Sequence, residues 1–421
     1  MKENYDVIVI GTGAAGSVIA KELSNQNKKV LVLEQGSPFQ KLGNYFASLD
    51  YYNFSNILKL PKKTIEGYNY YQGHTFGGTT LFACGNAVAS LKNELEALGI
   101  NIEKELEIVK SEVTFDFTDE SLFSSATKRI INVSHELGVN MIPMPKFINN
   151  KKCVRCGNCV FGCRYGAKWS ANRLIHKKNV EILFNALATK VLSIRNKAVG
   201  VEFISDKKNN VAYADLIILS AGAINTPIIL MNSGINSGGN LSLDLFVNVY
   251  GSSNKYSQLD EPVMPVVSLD NYQSKGFIIS PFINKPQLIR FVEAGFQTAM
   301  IPQKKLIGLM IKTKDDSNGI VHQNGKVSKP ITSNDRIRLE DGVSIAKSIL
   351  ERLDINKIHI SKIQGAHPVG TAAIGQVVDT TFMTSMKNLY VCDASVLPEA
   401  PGLPPILTIM ALAKKMSNQF E

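Results

Sequence analysis

Cys153, Cys156, Cys159 and Cys163 stand in the spacing C-x2-C-x2-C-x3-C within "CVRCGNCVFGC". Four thiols this close can pair as disulfides, hold zinc, or wrap an iron–sulfur cluster. Disulfides are rare among reducing thiols, and the chain opens on the strand-like "YDVIVI" with no secretion signal ahead of it, so a cytoplasmic setting is expected. Structural zinc sites usually take two Cys-x2-Cys knuckles a dozen or more residues apart, whereas here one loop carries all four thiols. The run is the one bacterial ferredoxins wrap around clusters, and Gly157 and Gly162 let a curling backbone approach the sulfurs. In two-cluster ferredoxins the fourth cysteine serves the other cluster and precedes Pro. Here there is one run and Arg164 follows it, so a single cluster is expected, [4Fe–4S] ahead of [3Fe–4S]. Cys84 and Cys392, isolated in apolar surroundings, read as packing residues.

A cluster moves single electrons, so another group must meet the substrate. "YDVIVIGTGAAGSVIAKELSNQNKKVLVLEQG" reads strand, glycine turn, helix, strand, with Gly11, Gly13 and Gly16 in G-x-G-x-x-G spacing. Gly11 allows the turn, Gly13 lets the backbone approach a pyrophosphate, and Gly16 lets the helix pack on the strand. Glu34 ends the second strand, where an acid holds ribose hydroxyls. These residues leave FAD and NAD both open.

Four further stretches separate the two, because with the N-terminal unit they resemble the glucose–methanol–choline (GMC) oxidoreductases, flavoproteins that oxidise alcohols and sugars. "HTFGGTTLFACGNA" (74 to 87) is similar to the family's second glycine motif, which implies that Gly77, Gly78, Thr79 and Thr80 lie along the flavin and its phosphates. "DLIILSAGAINTPIILMNSGI" (215 to 235) resembles the signature that delivers Ala221, Gly222 and Ala223 to the cofactor, with Thr226-Pro227 opening a helix. "GAHPVGTAAIGQVVD" (365 to 379) and "LYVCDASVLPEAPGLPPILTIMALAKK" (389 to 415) resemble the C-terminal signature. The match implies His367 as the catalytic base and Asp393 as an FAD contact. A histidine suits the task, since alcohol oxidation removes a hydroxyl proton as hydride leaves carbon. His135, His176 and His359 read as surface or packing positions, with His74 and His322 the remaining candidates.

Two departures from the family pattern stand out. Its second His or Asn, which contacts the substrate oxygen, is replaced by Pro404, and proline offers no donor. Either His367 works alone, or a side chain such as His74 or Asn86 supplies the second contact, or the substrate is not a simple alcohol. The position that attaches FAD covalently in some members is Phe82, which implies non-covalent FAD. The family also includes dehydrogenases with an iron–sulfur insertion at this point in the chain. Two electrons from the substrate would then leave singly toward a ferredoxin, cytochrome or quinone pathway, which favours a dehydrogenase over an oxidase. The alternative is a reductase acting on C=C or C=O, with electrons entering through the cluster.

Positioning these residues requires an α/β architecture, α+β overall. The resemblance implies a Rossmann-like FAD domain built from 1 to 88, 170 to 240 and 365 to 421. Residues 89 to 150 carry helical apolar spacing in "ASLKNELEALGI" and "SATKRIINVSHELGV"; 151 to 169 form the cysteine loop, which follows "PMPKF", where prolines end regular structure. Residues 241 to 364 form a β-rich substrate domain, with strands in "EPVMPVVSL", "GFIISPFI" and "LIGLMIK" and a helix capped by Ser333; "GINSGGN" (234 to 240) serves as a hinge. At 421 residues, more than one core is expected. Lysine and arginine exceed acids by ten, but as scattered doublets without interleaved aromatics, which points to a solvated basic surface and not to nucleic acid. Such a surface suits an acidic redox partner or a peripheral membrane contact, and no apolar run is long enough for a membrane span.

Overall fold

The computed structural model describes residues 5–38, 42–52, 61–175 and 179–421. The described chain runs through β1 (Tyr5–Ile10), α1 (Ala14–Asn25) and β2 (Val30–Leu33), then forms the short strands β3 (Lys62–Lys63) and β4 (Asn69–Tyr70). Helices α2 (Lys92–Ala97), α3 (Glu103–Glu112) and α4 (Ser125–Glu136) occupy the stretch with helical apolar spacing. Strands β5 (Val180–Leu183), β6 (Leu187–Ile194), β7 (Lys197–Ser205) and β8 (Lys208–Leu219) precede α5 (Gly222–Asn232). The β-rich piece holds β9 (Leu245–Ser252), β10 (Phe277–Pro281), α6 (Gln287–Ala299), β11 (Leu306–Thr313) and α7 (Ser333–Arg352). It is followed by β12 (His359–Ile360), β13 (Gln364–Gly365), β14 (Leu389–Val391) and α8 (Ile406–Ser417).

Two seven-stranded sheets carry the molecule. The first runs β5-β2-β1-β8-β7-β6, with β14 also on β8. One strand serves two roles: residues 208–213 of β8 close an antiparallel meander with β7, while 214–219 enter the parallel sheet beside β1 and β14. Val, Ile and Leu dominate β1 and β2, and apart from Asp6 both strands are buried, as expected of strands covered on two faces. On this sheet α1 packs against α8, and α8 against α3.

The second sheet runs β10-β11-β9-β13-β4-β3, with β12 also on β9. Its core joins Val247, Val249, Phe277, Ile307 and Leu309 to the apolar faces of α4 and α7. Strands β3 and β4, grouped with the dinucleotide unit in the sequence, pair into this second sheet through β13. The "PMPKF" prolines do not end regular structure; they lie in two-residue strands, Ile142–Pro143 and Pro145–Lys146. Ser333 is not the cap of α7. Thr332 is, its side chain accepting from Asp335 N while the Asp335 carboxylate accepts from Thr332 N. That reciprocal pair is a capping box, and one position separates it from the expected residue.

Candidate active site

A cavity of about 350 Å³ is lined by residues from both sheets. On the first-sheet side, Gly11, Thr12 and Gly13 follow β1, and Gly13 caps α1, so the free amides of the helix's first turn lie at the cavity wall. A Cβ on Gly13 would meet no protein atom within 4 Å, which leaves open approach for a pyrophosphate. A Cβ on Gly16 would collide with the Gly11 carbonyl, so that glycine serves helix packing. Glu34 lines the cavity just past β2; its Oε2 accepts from Thr12 N at 3.0 Å and Thr12 Oγ1 at 2.5 Å, and its Oε1 from Gly36 N at 2.7 Å. Burial pushes this carboxyl up, against the pull of those hydrogen bonds.

The second glycine motif divides in two. Gly78 and Thr79 line the cavity. Gly77 and Thr80 do not: Gly77 N donates to Thr12 Oγ1 at 2.9 Å, and Thr80 Oγ1 donates to Gly77 O at 2.6 Å while accepting from Ala171 N at 2.9 Å. Both brace the turn that presents their neighbours. Ala221 and Gly222 line the cavity at the start of α5. Asp393 stands behind them, where its carboxylate accepts from Gly222 N at 2.8 Å, Thr226 Oγ1 at 2.6 Å and Ser395 N at 2.7 Å. Asp393 itself is not among the lining residues, and these donors tie it to the start of α5. An open glycine turn, a helix N-terminus and an acid at the ribose position together fit FAD.

At the second-sheet end, His367 lines the cavity and its Nδ1 lies 2.8 Å from Asp244 Oδ2. Pairing of β13 with β9 brings the two together, and His367 N donates to Leu243 O at 2.8 Å. Asp244 is fully buried, and its Oδ1 accepts from Gly402 N at 2.8 Å. Lys312, cross-strand partner of Phe246, places Nζ 3.4 Å from His367 Nδ1 and 3.8 Å from Asp244 Oδ2. Burial and the Lys312 charge hold His367 well below the usual histidine range. Burial also brings Lys312 down to about 8 and Asp244 up to about 7, each opposed by attraction to the other. Near neutrality the imidazole is thus neutral; with its Nδ1 proton facing Asp244, Nε2 is free to accept.

Sequence reading missed Asp244 and Lys312. The available signal was a lone charge in each of two apolar runs, "LSLDLF" and "LIGLMIK". Pro404 does line the cavity. The two expected substitutes for its lost donor lie in different places. Asn86 lines the cavity, but its Oδ1 accepts from Lys146 Nζ and its Nδ2 lies 3.4 Å from Met264 Sδ. His74 lies outside the lining, half-buried, and desolvation with the Lys62 charge pushes it down to about 4. His322 is exposed at a turn, His135 is exposed on α4, His359 lies on β12, and His176 falls outside the described residues. Phe82 lines the cavity and packs against Tyr51 and Tyr52.

Cys153, Cys156, Cys159 and Cys163 are free thiols around one small cavity of about 20 Å³. Left-handed backbone at Gly157 and Gly162 curls the loop. Among the described residues, no three His, Cys, Asp or Glu side chains converge closely enough to hold a single metal ion. Cys84 is not in purely apolar surroundings: it lines the larger cavity, and Lys146, Lys168 and Lys312 all act on its thiol, which burial pushes up.

Comparison with known proteins agrees with this geometry. The family model described as GMC oxidoreductase matches residues 5–246 with its N-terminal part and 330–413 with its C-terminal part. An uncharacterized protein of Methanocaldococcus jannaschii is 32% identical over 99% of this chain and 100% of its own. A long-chain-alcohol oxidase of Arabidopsis thaliana is 23% identical over 99% of this chain and 67% of its own. The crystal structure of pyridoxine 4-oxidase from Mesorbium loti superposes with a TM-score of 0.77 at 15% identity, covering 99% of both chains. Formate oxidase of Aspergillus oryzae, in a structure concerned with modification of its FAD, gives a TM-score of 0.76 at 15% identity, covering 99% of this chain and 98% of that one.

Proposed function

Because the chain belongs to the GMC oxidoreductase family, we propose that it is an FAD-dependent dehydrogenase that oxidises the CH–OH group of an alcohol and passes the electrons singly to a partner. The observation that carries this reading is the His367–Asp244–Lys312 group on the wall of the cavity that also holds the glycine cradle. His367 Nε2 takes the hydroxyl proton while Asp244 fixes the ring through Nδ1. Lys312 supplies the cationic donor that Pro404 lacks, steadying negative charge on the substrate oxygen. FAD, bound non-covalently in the cradle, supplies the hydride acceptor.

Met310 and Lys312 lie two apart on one face of β11, Lys312 opposite Phe246, and Met264 and Phe282 continue the same lining. That wall favours an alcohol on an apolar body over a polyol, whose further hydroxyls would lack partners there. A cluster on the four thiolates would carry electrons one at a time to a ferredoxin, cytochrome or quinone pathway. The ferredoxin-type spacing and the shared cavity support it. Three of the four proteins named above are oxidases, so oxygen consumption must be measured beside acceptor reduction.

The deciding experiment is anaerobic rapid mixing of the flavin-loaded protein with apolar alcohols and with polyols. Bleaching of the flavin by the apolar alcohols is expected. If no alcohol reduces the flavin while a reduced ferredoxin does, the C=C or C=O reductase reading takes its place, with Lys312, protonated below about 8, as the proton donor to a carbonyl oxygen.

A further inference from the structure

Among the described residues, four lysines are almost wholly shielded from solvent: Lys146, Lys168, Lys312 and Lys329. Two of them have a carboxylate within ion-pair distance, Lys312 with Asp244 at 3.8 Å and Lys329 with Asp315 at 3.1 Å. The other two have none among the described residues. Lys168 Nζ donates to three neutral carbonyls, Thr80 O at 3.1 Å, Leu81 O at 2.8 Å and Ala83 O at 2.8 Å. Lys146 Nζ donates to Cys84 O at 3.2 Å and Asn86 Oδ1 at 2.5 Å, and Glu261 acts on it only from beyond ion-pair distance. An ammonium buried among neutral groups is unfavourable unless an anion stands near it.

Both unpaired lysines lie at the cysteine loop. Lys168 lines the small cavity shared by the four thiols. Cys159 acts on both ammonium groups, Cys153 on Lys146 and Cys163 on Lys168. On their other side, the backbone they hold, from Thr80 to Asn86, includes Ala83, Cys84 and Asn86 of the larger cavity's wall. Lys168 therefore links the two cavities, lining the small one and holding Ala83 of the larger one's wall, while Lys146 holds Cys84 and Asn86 of that wall.

We propose that Lys146 and Lys168 are the buried counter-charges of an anionic iron–sulfur cluster held by Cys153, Cys156, Cys159 and Cys163, and that they raise its reduction potential by favouring the more negative, reduced form. This inference rests on the cluster reading above. It makes both lysines positioning and tuning residues, without contact to substrate. Charge near a cluster and hydrogen bonding around it are the protein's means of setting such potentials.

The test uses full-length protein loaded anaerobically with iron and sulfide. Iron and sulfide are assayed first, and the cluster is then titrated by electron paramagnetic resonance in wild type, Lys146→Met, Lys168→Met, Lys146→Arg and Lys168→Arg. Each Met variant is expected to shift the one-electron equilibrium at least tenfold toward the oxidised cluster, a fall of about 59 mV, and each Arg variant to retain most of the wild-type potential. In case a Met variant loads poorly, its melting temperature is also compared with wild type in iron-free protein. There the lysine lacks its anion, so the Met variant is expected to be the more stable. Wild type that takes up no iron overturns the cluster reading and this inference together. Iron-loaded protein whose potential neither Met variant moves overturns the lysine role alone. Equal falls in the Met and Arg variants, or iron-free Met variants less stable than wild type, assign these lysines to packing and also overturn it.

Discussion

A methyl group placed on Gly13 would touch nothing in the protein, so a side chain there is felt by the ligand and by little else. Gly13→Val should fold with wild-type circular dichroism yet purify with little flavin, by absorbance at the flavin bands; full occupancy in that variant would show that the pyrophosphate lies elsewhere. At the other end of the cavity, His367→Ala should keep its flavin but slow flavin reduction by alcohol ~10²- to 10⁴-fold, the usual worth of a positioned base. The pH profile carries a finer expectation. Because burial holds His367 well below the ordinary histidine range, the acid limb should lie below neutrality. Lys312 is protonated below about 8, so its donor role fades as pH rises through that value. Flavin reduction measured across pH should fall again on the alkaline side, with apparent values that belong to the coupled group as a whole. Lys312→Met should lower the rate at neutrality and erase the alkaline limb; a limb that persists unchanged removes Lys312 from the chemistry.

Helix α7 separates two adjacent hydroxyls by function. Thr332→Ala should lower stability by about 1 kcal/mol in urea unfolding, the usual worth of an N-cap, while Ser333→Ala should be close to neutral. Equal effects would mean the capping box contributes nothing. Just before the helix, the fully buried Lys329 lies between Asp315 at 3.1 Å and Asp335 at 3.8 Å. Lys329→Met leaves the buried Asp315 without its cation, while Asp335 keeps Arg338 at 3.0 Å, and should destabilise by about 3–5 kcal/mol. These elements mark how much the sequence disclosed. The first βαβ unit was legible because β1, the glycine turn and α1 are set by neighbours in sequence. The His367 partners were not, because Asp244 and Lys312 reach the histidine only through the pairing of β9 with β13 and β11, and register between distant strands leaves no local trace.

Across the whole molecule, the proposed relay keeps substrate oxidation apart from electron exit, since the His367 group and the four cysteines line different cavities. Cys156→Ser should therefore degrade the cluster and abolish turnover with a one-electron acceptor while alcohol still bleaches the flavin in a single turnover. Unchanged acceptor turnover in that variant would sink the relay. The architecture also has a consequence in time. β14 lies against β8, and α8 lies on α1, so the layer that begins with the first strand is completed by the last helix. As the ribosome extends the chain, β1, β2 and β8 emerge long before the segment that covers them. Until residues 389–417 are synthesised, the nascent protein presents an open parallel edge on β8 and a bare apolar face on α1, surfaces of the kind that chaperones shield. Cofactor capture is then a late event in biogenesis, because Asp393, which fixes the start of α5 at the cavity, arrives with that same final segment.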